Sequence, residues 1–167
     1  MSSFVLTSGA HYVESLNVVI AKSGKRKKNF EILQEHMPWF IQRLSLPRPC
    51  INILSVGSGT GKRDIDILKT ITEELQKSEQ GRSTKIFNRA TEPNEYSCSL
   101  YKAAVETLPS PLNDHLTEFE ICQQTFQEYK ENQQRQEGSV KFDMVHFIHS
   151  IYHVDIEQGL VWDLKSP

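Results

Sequence analysis

Three glycines at alternate positions behind an apolar run constrain this chain more than any other feature. Ile51-Asn52-Ile53-Leu54-Ser55-Val56 reads as a buried strand, being short, nearly continuous in apolar residues and rich in β-branched side chains. It leads into Gly57-Ser58-Gly59-Thr60-Gly61, after which Ile67, Leu68, Ile71 and Leu75 recur on one helical face. A strand, a glycine turn and an amphipathic helix in that order open an α/β domain with a parallel sheet. Glycines at such a turn let the backbone approach a ligand where a Cβ would collide.

The spacing is G-x-G-x-G, not the G-x-G-x-x-G of dinucleotide binders, and Gly61 is followed by Lys62-Arg63 rather than by the P-loop ending. It points to a nucleoside without a pyrophosphate, for which S-adenosylmethionine is the usual candidate. A second signal lies one strand later. Lys85-Ile86-Phe87-Asn88-Arg89-Ala90-Thr91 ends in Glu92-Pro93-Asn94, where Pro93 stops the strand and Asn94 caps the next helix. An acid at that place accepts both ribose hydroxyls of a bound nucleoside. The polar stretch 76–84 reads as a lengthened surface loop, which explains why this acid comes later than the usual spacing.

Size and composition narrow the rest. A chain of 167 residues makes one domain. With 38% hydrophobic and 24% charged residues and a net charge of −2, it is not a general nucleic-acid binder. No apolar run approaches the ~18 residues of a membrane span, and Met1-Ser2-Ser3-Phe4-Val5-Leu6 lacks the pattern of a secretory signal. Cys50, Cys98 and Cys122 are odd in number and scattered, which suits free thiols in a reducing compartment. The expectation is a cytoplasmic monomer with no membrane and no nucleic-acid partner.

Residues 10–47 read as helical, with Pro38 predicting a kink or the start of a second helix. Strands are expected at 51–56, 85–91, 116–122 and 142–148, and helices near 62–77, 94–107 and 125–136. The Gln/Glu-rich run 123–137 reads as a solvated helix face. Crossover rules put the second and third strands on one side of the first and the fourth on the other. The resulting switch point lies between the ends of the first and fourth strands, where open α/β sheets bind ligands. The series His146, His149, His153 has a spacing open to metal ligation on a helix, but a strand would throw His146 and His149 onto opposite faces. Pocket or core histidines are the expectation, and no metal site. The basic run Lys22–Lys28 reads as a solvated loop, with a nuclear signal or a phosphate-binding patch as alternatives.

These features resemble the S-adenosylmethionine-dependent methyltransferases, and within them the histamine N-methyltransferase family. The resemblance runs from about Tyr12 to Val154, through Tyr12-Val13-Glu14-Ser15, Ile53–Gly61, Ile67-Leu68, Glu92-Pro93 and Phe142-Asp143-Met144-Val145-His146-Phe147-Ile148. It implies a Rossmann-like methyltransferase fold with an N-terminal helical cap, in a parallel sheet lacking its last strands. Residues 1–167 would form a single, incomplete domain, with a substrate cap at 1–47 and the cofactor-binding half at 48–154. A complete member continues with three more strands. The implied cofactor is S-adenosyl-L-methionine, contacted by Gly57, Ser58, Gly59, Gly61, Glu92 and Ile148. Ser97 stands where the family has a glutamine. The family's serine falls at Phe126, with Thr125 beside it to supply a hydroxyl.

On the substrate side the resemblance implies Tyr12, Lys25, His149, Tyr152 and His153. Lys25 stands where the family holds the ammonium of histamine with a glutamate, and the pocket aromatics fall at Leu6, Leu16 and Val19. The implied activity is methyl transfer to a small amine or imidazole such as histamine, with no dedicated catalytic residue. The alternative is an inactive protein that binds the cofactor or acts through a partner.

Overall fold

In the first strand, β1 (Cys50–Val56), both faces are covered, which explains its nearly unbroken apolar sequence. Ile51 and Ile53 point to one face, Leu54 and Val56 to the other, and each joins a separate core cluster. This computed structural model describes residues 13–14, 25–135 and 140–147. The first helix, α1 (Lys25–Arg43), sends Met37 and Ile41 into the first cluster. It runs on through Pro38, so no second helix starts there. Residues 1–12 and 15–24 of the expected cap lie outside the described residues.

After β1 come α2 (Lys62–Leu75), α3 (Glu79–Ser83), β2 (Lys85–Thr91), α4 (Glu95–Glu106), α5 (Leu112–His115), β3 (Leu116–Cys122), α6 (Phe126–Gln134) and β4 (Met144–His146). The sheet has the order β3-β2-β1-β4, and all its pairings are parallel. The architecture is α/β and Rossmann-like, with the fourth strand across β1 from the second and third, as the crossover argument predicts. Ile67, Leu68, Ile71 and Leu75 of α2 fill the first cluster with Leu112 of α5. Phe126 and Tyr129 of α6 cover the other face over Leu54 and Val56. The rest of α6 is largely exposed, in keeping with a solvated helix face.

The stretch 76–84 departs from the expected loop, because it folds into α3. Ser78 Oγ accepts the Gly81 N–H at 3.0 Å as a helix N-cap. A Cβ at Gly81 would lie 2.2 Å from the Leu75 carbonyl oxygen, so the turn folds back tightly against the end of α2. Next to it, His115 Nδ1 donates to the Thr84 carbonyl at 2.7 Å, and Nε2 accepts from the Gln76 amide at 2.6 Å. All three cysteines are free thiols. Among the described residues no helix is long and apolar enough to cross a membrane.

Candidate functional site

The glycine turn follows β1 at the carboxyl edge of the sheet and is stitched to the end of β2. Gly57 and Ser58 donate their N–H groups to the Thr91 carbonyl at 2.9 and 3.2 Å, and Gly61 N–H donates to Ser58 O at 3.0 Å. Gly57, Gly59 and Gly61 have φ of 67°, 56° and 75°, in the left-handed region where a Cβ is strained. Glu92, the residue after β2, is only 8% exposed. Its Oε2 accepts the Gly59 N–H at 2.8 Å and its Oε1 accepts the Asn94 N–H at 3.0 Å. Its own N–H donates to Cys122 O at 3.1 Å. The carboxylate is therefore fixed from both sides against the turn. Each of its oxygens keeps lone-pair capacity for a further donor.

Two of the glycines serve different purposes. A Cβ at Gly61 would sit 1.8 Å from the Tyr101 ring, so this glycine makes room for an internal aromatic side chain. A Cβ at Gly59 would meet nothing within 4 Å. The open side of the turn is at Gly59, beside Glu92, and that is where a ligand can approach the backbone.

Below the turn lies a buried polar group that sequence reasoning missed. Tyr101 OH donates to Asp64 Oδ2 at 2.8 Å, and the Ser55 and Ser58 hydroxyls also face this carboxyl. His146 Nε2 lies 2.8 Å from Ser55 Oγ and 3.9 Å from Asp64 Oδ1. Burial pushes the Asp64 carboxyl above its usual range, while His146 and the hydroxyls pull the other way. Burial pushes the His146 imidazole down, and Asp64 opposes it. The Tyr101 phenol is driven well up, by burial first and then by Asp64. Register is the reason for the meeting. Ser55 pairs with His146 across the β1–β4 ladder, so the two side chains emerge side by side. Asp64 joins them from the first turn of α2, a favourable place for a carboxylate.

No family model matches the chain. Individual proteins do. A carnosine N-methyltransferase 2 from Gallus gallus is 31% identical over 144 residues, covering 86% of this chain and 42% of the relative. A histamine N-methyltransferase A from Xenopus laevis is 25% identical over 162 residues, covering 97% and 52%. A histamine N-methyltransferase from Bos taurus is 25% identical over 150 residues, covering 90% and 48%. The chain belongs to the histamine N-methyltransferase-like methyltransferase family. It spans about half the length of the curated relatives it matches.

The histamine N-methyltransferase-like resemblance singled out residues that the structure describes unevenly. Gly57, Ser58, Gly59, Gly61 and Glu92 come together in one constellation. Ser97 is buried in the first turn of α4, where its N–H donates to Asn94 Oδ1 at 2.9 Å. Thr125 is the N-cap of α6 and forms a capping box with Glu128. Its hydroxyl donates to Glu128 Oε2 at 2.8 Å, which leaves acceptor capacity for a ligand but no free proton. Phe126 is a core residue. Lys25 is the first residue of α1, and its side chain lies outside the described residues, as do Tyr12, Ile148, His149, Tyr152 and His153.

Proposed function

We propose that this chain binds S-adenosylmethionine over Gly57–Gly61 and takes part in methyl transfer to the nitrogen of a small amine or imidazole. The observation that carries this reading is the Glu92 carboxylate held 2.8 Å from the Gly59 N–H, on the side of the turn that is open. The residues present fit such a cofactor. Glu92 accepts the ribose hydroxyls through its remaining lone pairs, and Gly59 lets the backbone come close. Ser97 and Thr125 flank the adenosine end, with Ile148 as an apolar neighbour. When bound, S-adenosylmethionine supplies a methyl group already activated on a positively charged sulfur. The chain's own part is to orient an uncharged acceptor nitrogen in line with that methyl and to exclude water. No nucleophilic side chain is needed, and Cys50, Cys98 and Cys122 have no part in the reaction.

Membership of a family whose members are named as N-methyltransferases of histamine and of carnosine supports a small nitrogen-containing acceptor. Tyr12, His149, Tyr152 and His153 are the proposed substrate contacts. Lys25, standing where the resemblance puts a glutamate, repels an ammonium group, so histamine is a poor acceptor. Exchanging Lys25 for Glu raises histamine use by roughly tenfold to a hundredfold, about 1.4–2.7 kcal/mol in rate terms. Radiolabelled methyl transfer compares the two chains, and equal or lower activity in the variant removes Lys25 from the pocket.

Calorimetric titration with S-adenosylmethionine tests the cofactor site. Glu92→Ala removes a charge-assisted acceptor and costs ~1.5–3 kcal/mol of binding. Unchanged affinity would exclude Glu92 as the ribose acid.

A further inference from the structure

The cluster beneath the glycine turn has no role in the function proposed above. It draws on four elements: Ser55 near the end of β1, Asp64 in the first turn of α2, Tyr101 in α4 and His146 at the end of β4. Asn88 of β2 completes it, since Ser55 Oγ lies 3.3 Å from Asn88 Oδ1. One arrangement of protons satisfies the chain of contacts. His146 Nε2–H donates to Ser55 Oγ at 2.8 Å, and the Ser55 hydroxyl donates onward to Asn88. Nδ1 then carries only a lone pair, and among the described residues it has no hydrogen-bond partner. A second proton there would create a buried donor with no acceptor, a costly state. Burial of the ring acts in the same direction.

Among the described residues, the charged group facing His146 is Asp64 of α2, 3.9 Å from Nε2. From α4, Tyr101 reaches Asp64 rather than the imidazole. The neighbours from β1 and β2, Ser55 and Asn88, are uncharged. Gly57–Gly61 connects Ser55 to the start of α2, and Gly61 is seated against the Tyr101 ring. The strand order reverses between β1 and β4, where open α/β sheets take their ligands, and Ser55 and His146 pair across that point.

We propose that neutral His146, with Asp64, is a positioning residue that ties the end of β4 to the glycine turn and so sets the shape of the cofactor crevice. The identity of the ligand rests on the function proposed above; the tie itself does not. Adding a proton to His146 leaves a buried Nδ1–H without an acceptor, which loosens β4 on β1 and weakens binding.

Two measurements on the full chain test this. S-adenosylhomocysteine is titrated calorimetrically across the neutral and mildly acid range, and the Gly59 and Gly61 amide resonances are followed over the same range without ligand. The imidazole resonances of His146 report its protonation directly, so the wild-type chain alone already links the two events. Wild type is expected to lose affinity as pH falls through the depressed His146 value, below the ordinary imidazole range, with a limiting slope of about tenfold per pH unit, and the glycine amides move on the same curve. His146→Gln keeps a donor toward Ser55 but cannot titrate, and both curves flatten. His146→Leu binds weakly at every pH. A wild-type pH curve in His146→Gln, or wild-type affinity in His146→Leu, overturns the proposal. If the wild-type amides titrate with His146 while the nucleoside does not bind, the tie stands and the cofactor reading fails. If the amides do not follow His146, the tie is rejected whatever binds.

Discussion

Gly59 and Gly61 have similar backbone angles and different neighbours, and this makes them a matched pair of tests. Alanine at either position meets the left-handed penalty of about 1–2 kcal/mol. At Gly61 the new methyl also collides with Tyr101, at 1.8 Å, so Gly61→Ala should lower the denaturation midpoint far more. At Gly59 the methyl enters open space, so Gly59→Ala should stay folded and lose mainly cofactor affinity. Urea unfolding and calorimetry on both variants separate the two effects, and equal destabilisation would mean that the Tyr101 contact is not what demands Gly61. His146 adds a pH dependence. Its folded-state pKa is depressed by burial, so the unfolded chain takes up a proton first as pH falls. Its contribution is present above the unfolded value near 6.5 and is lost as pH drops through the depressed folded value. The unfolding free energy of wild type should decline across that window and that of His146→Gln should decline less, as read from urea curves at successive pH values. The glycines and Glu92 were legible in the sequence because their spacing is local. The Asp64–His146 meeting was not, because residues 82 positions apart meet only through the β1–β4 register.

Elements were read well where packing repeats along the chain. The expected 85–91 and 116–122 coincide with β2 and β3, and the periodic apolar face of α2 is buried as its spacing requires. The two short helices α3 and α5 have too few turns to show a period. Polar composition pointed to a loop at 76–84, but Ser78 capping and the close approach at Gly81 decide the outcome. The N-cap offers a calibrated test. Ser78→Ala should cost about 1 kcal/mol, the usual loss for a capping hydroxyl. Gly81→Ala should cost more, because a Cβ there would lie 2.2 Å from backbone that cannot move aside easily. Differential scanning calorimetry ranks the two, and a tolerated Gly81→Ala would show that α3 can shift away from α2. At Pro38 the helix continues, so the second helix start is not used. Proline in a helix interior removes a hydrogen bond, yet Met37 and Ile41 anchor α1 on both sides of it, and the packing outweighs the local preference.

At the scale of the whole molecule, the order β3-β2-β1-β4 brings the glycine turn and Glu92 to one carboxyl edge. That edge is built from the ends of β1, β2 and β3, so a ligand held there would be linked to the stability of the folded sheet. A ligand at about 100 times its dissociation constant adds about 2.7 kcal/mol to the stability of the state that binds it. For a domain of this length each kcal/mol raises Tm by about 2–4 °C, so saturating S-adenosylhomocysteine should raise Tm by roughly 5–11 °C. Glu92→Ala should lose most of that shift, while Cys50→Ser should keep it, since Cys50 begins β1 at the opposite end of the strand from the turn. Pairing the melting curves with radiolabelled methyl transfer then distinguishes the enzyme from a protein that only binds. A ligand-induced shift with turnover supports the methyltransferase reading. A shift without turnover on any small amine or imidazole tested makes the chain a cofactor-binding protein. If wild type shows no shift at ligand levels that saturate a control methyltransferase, neither reading of the glycine turn survives.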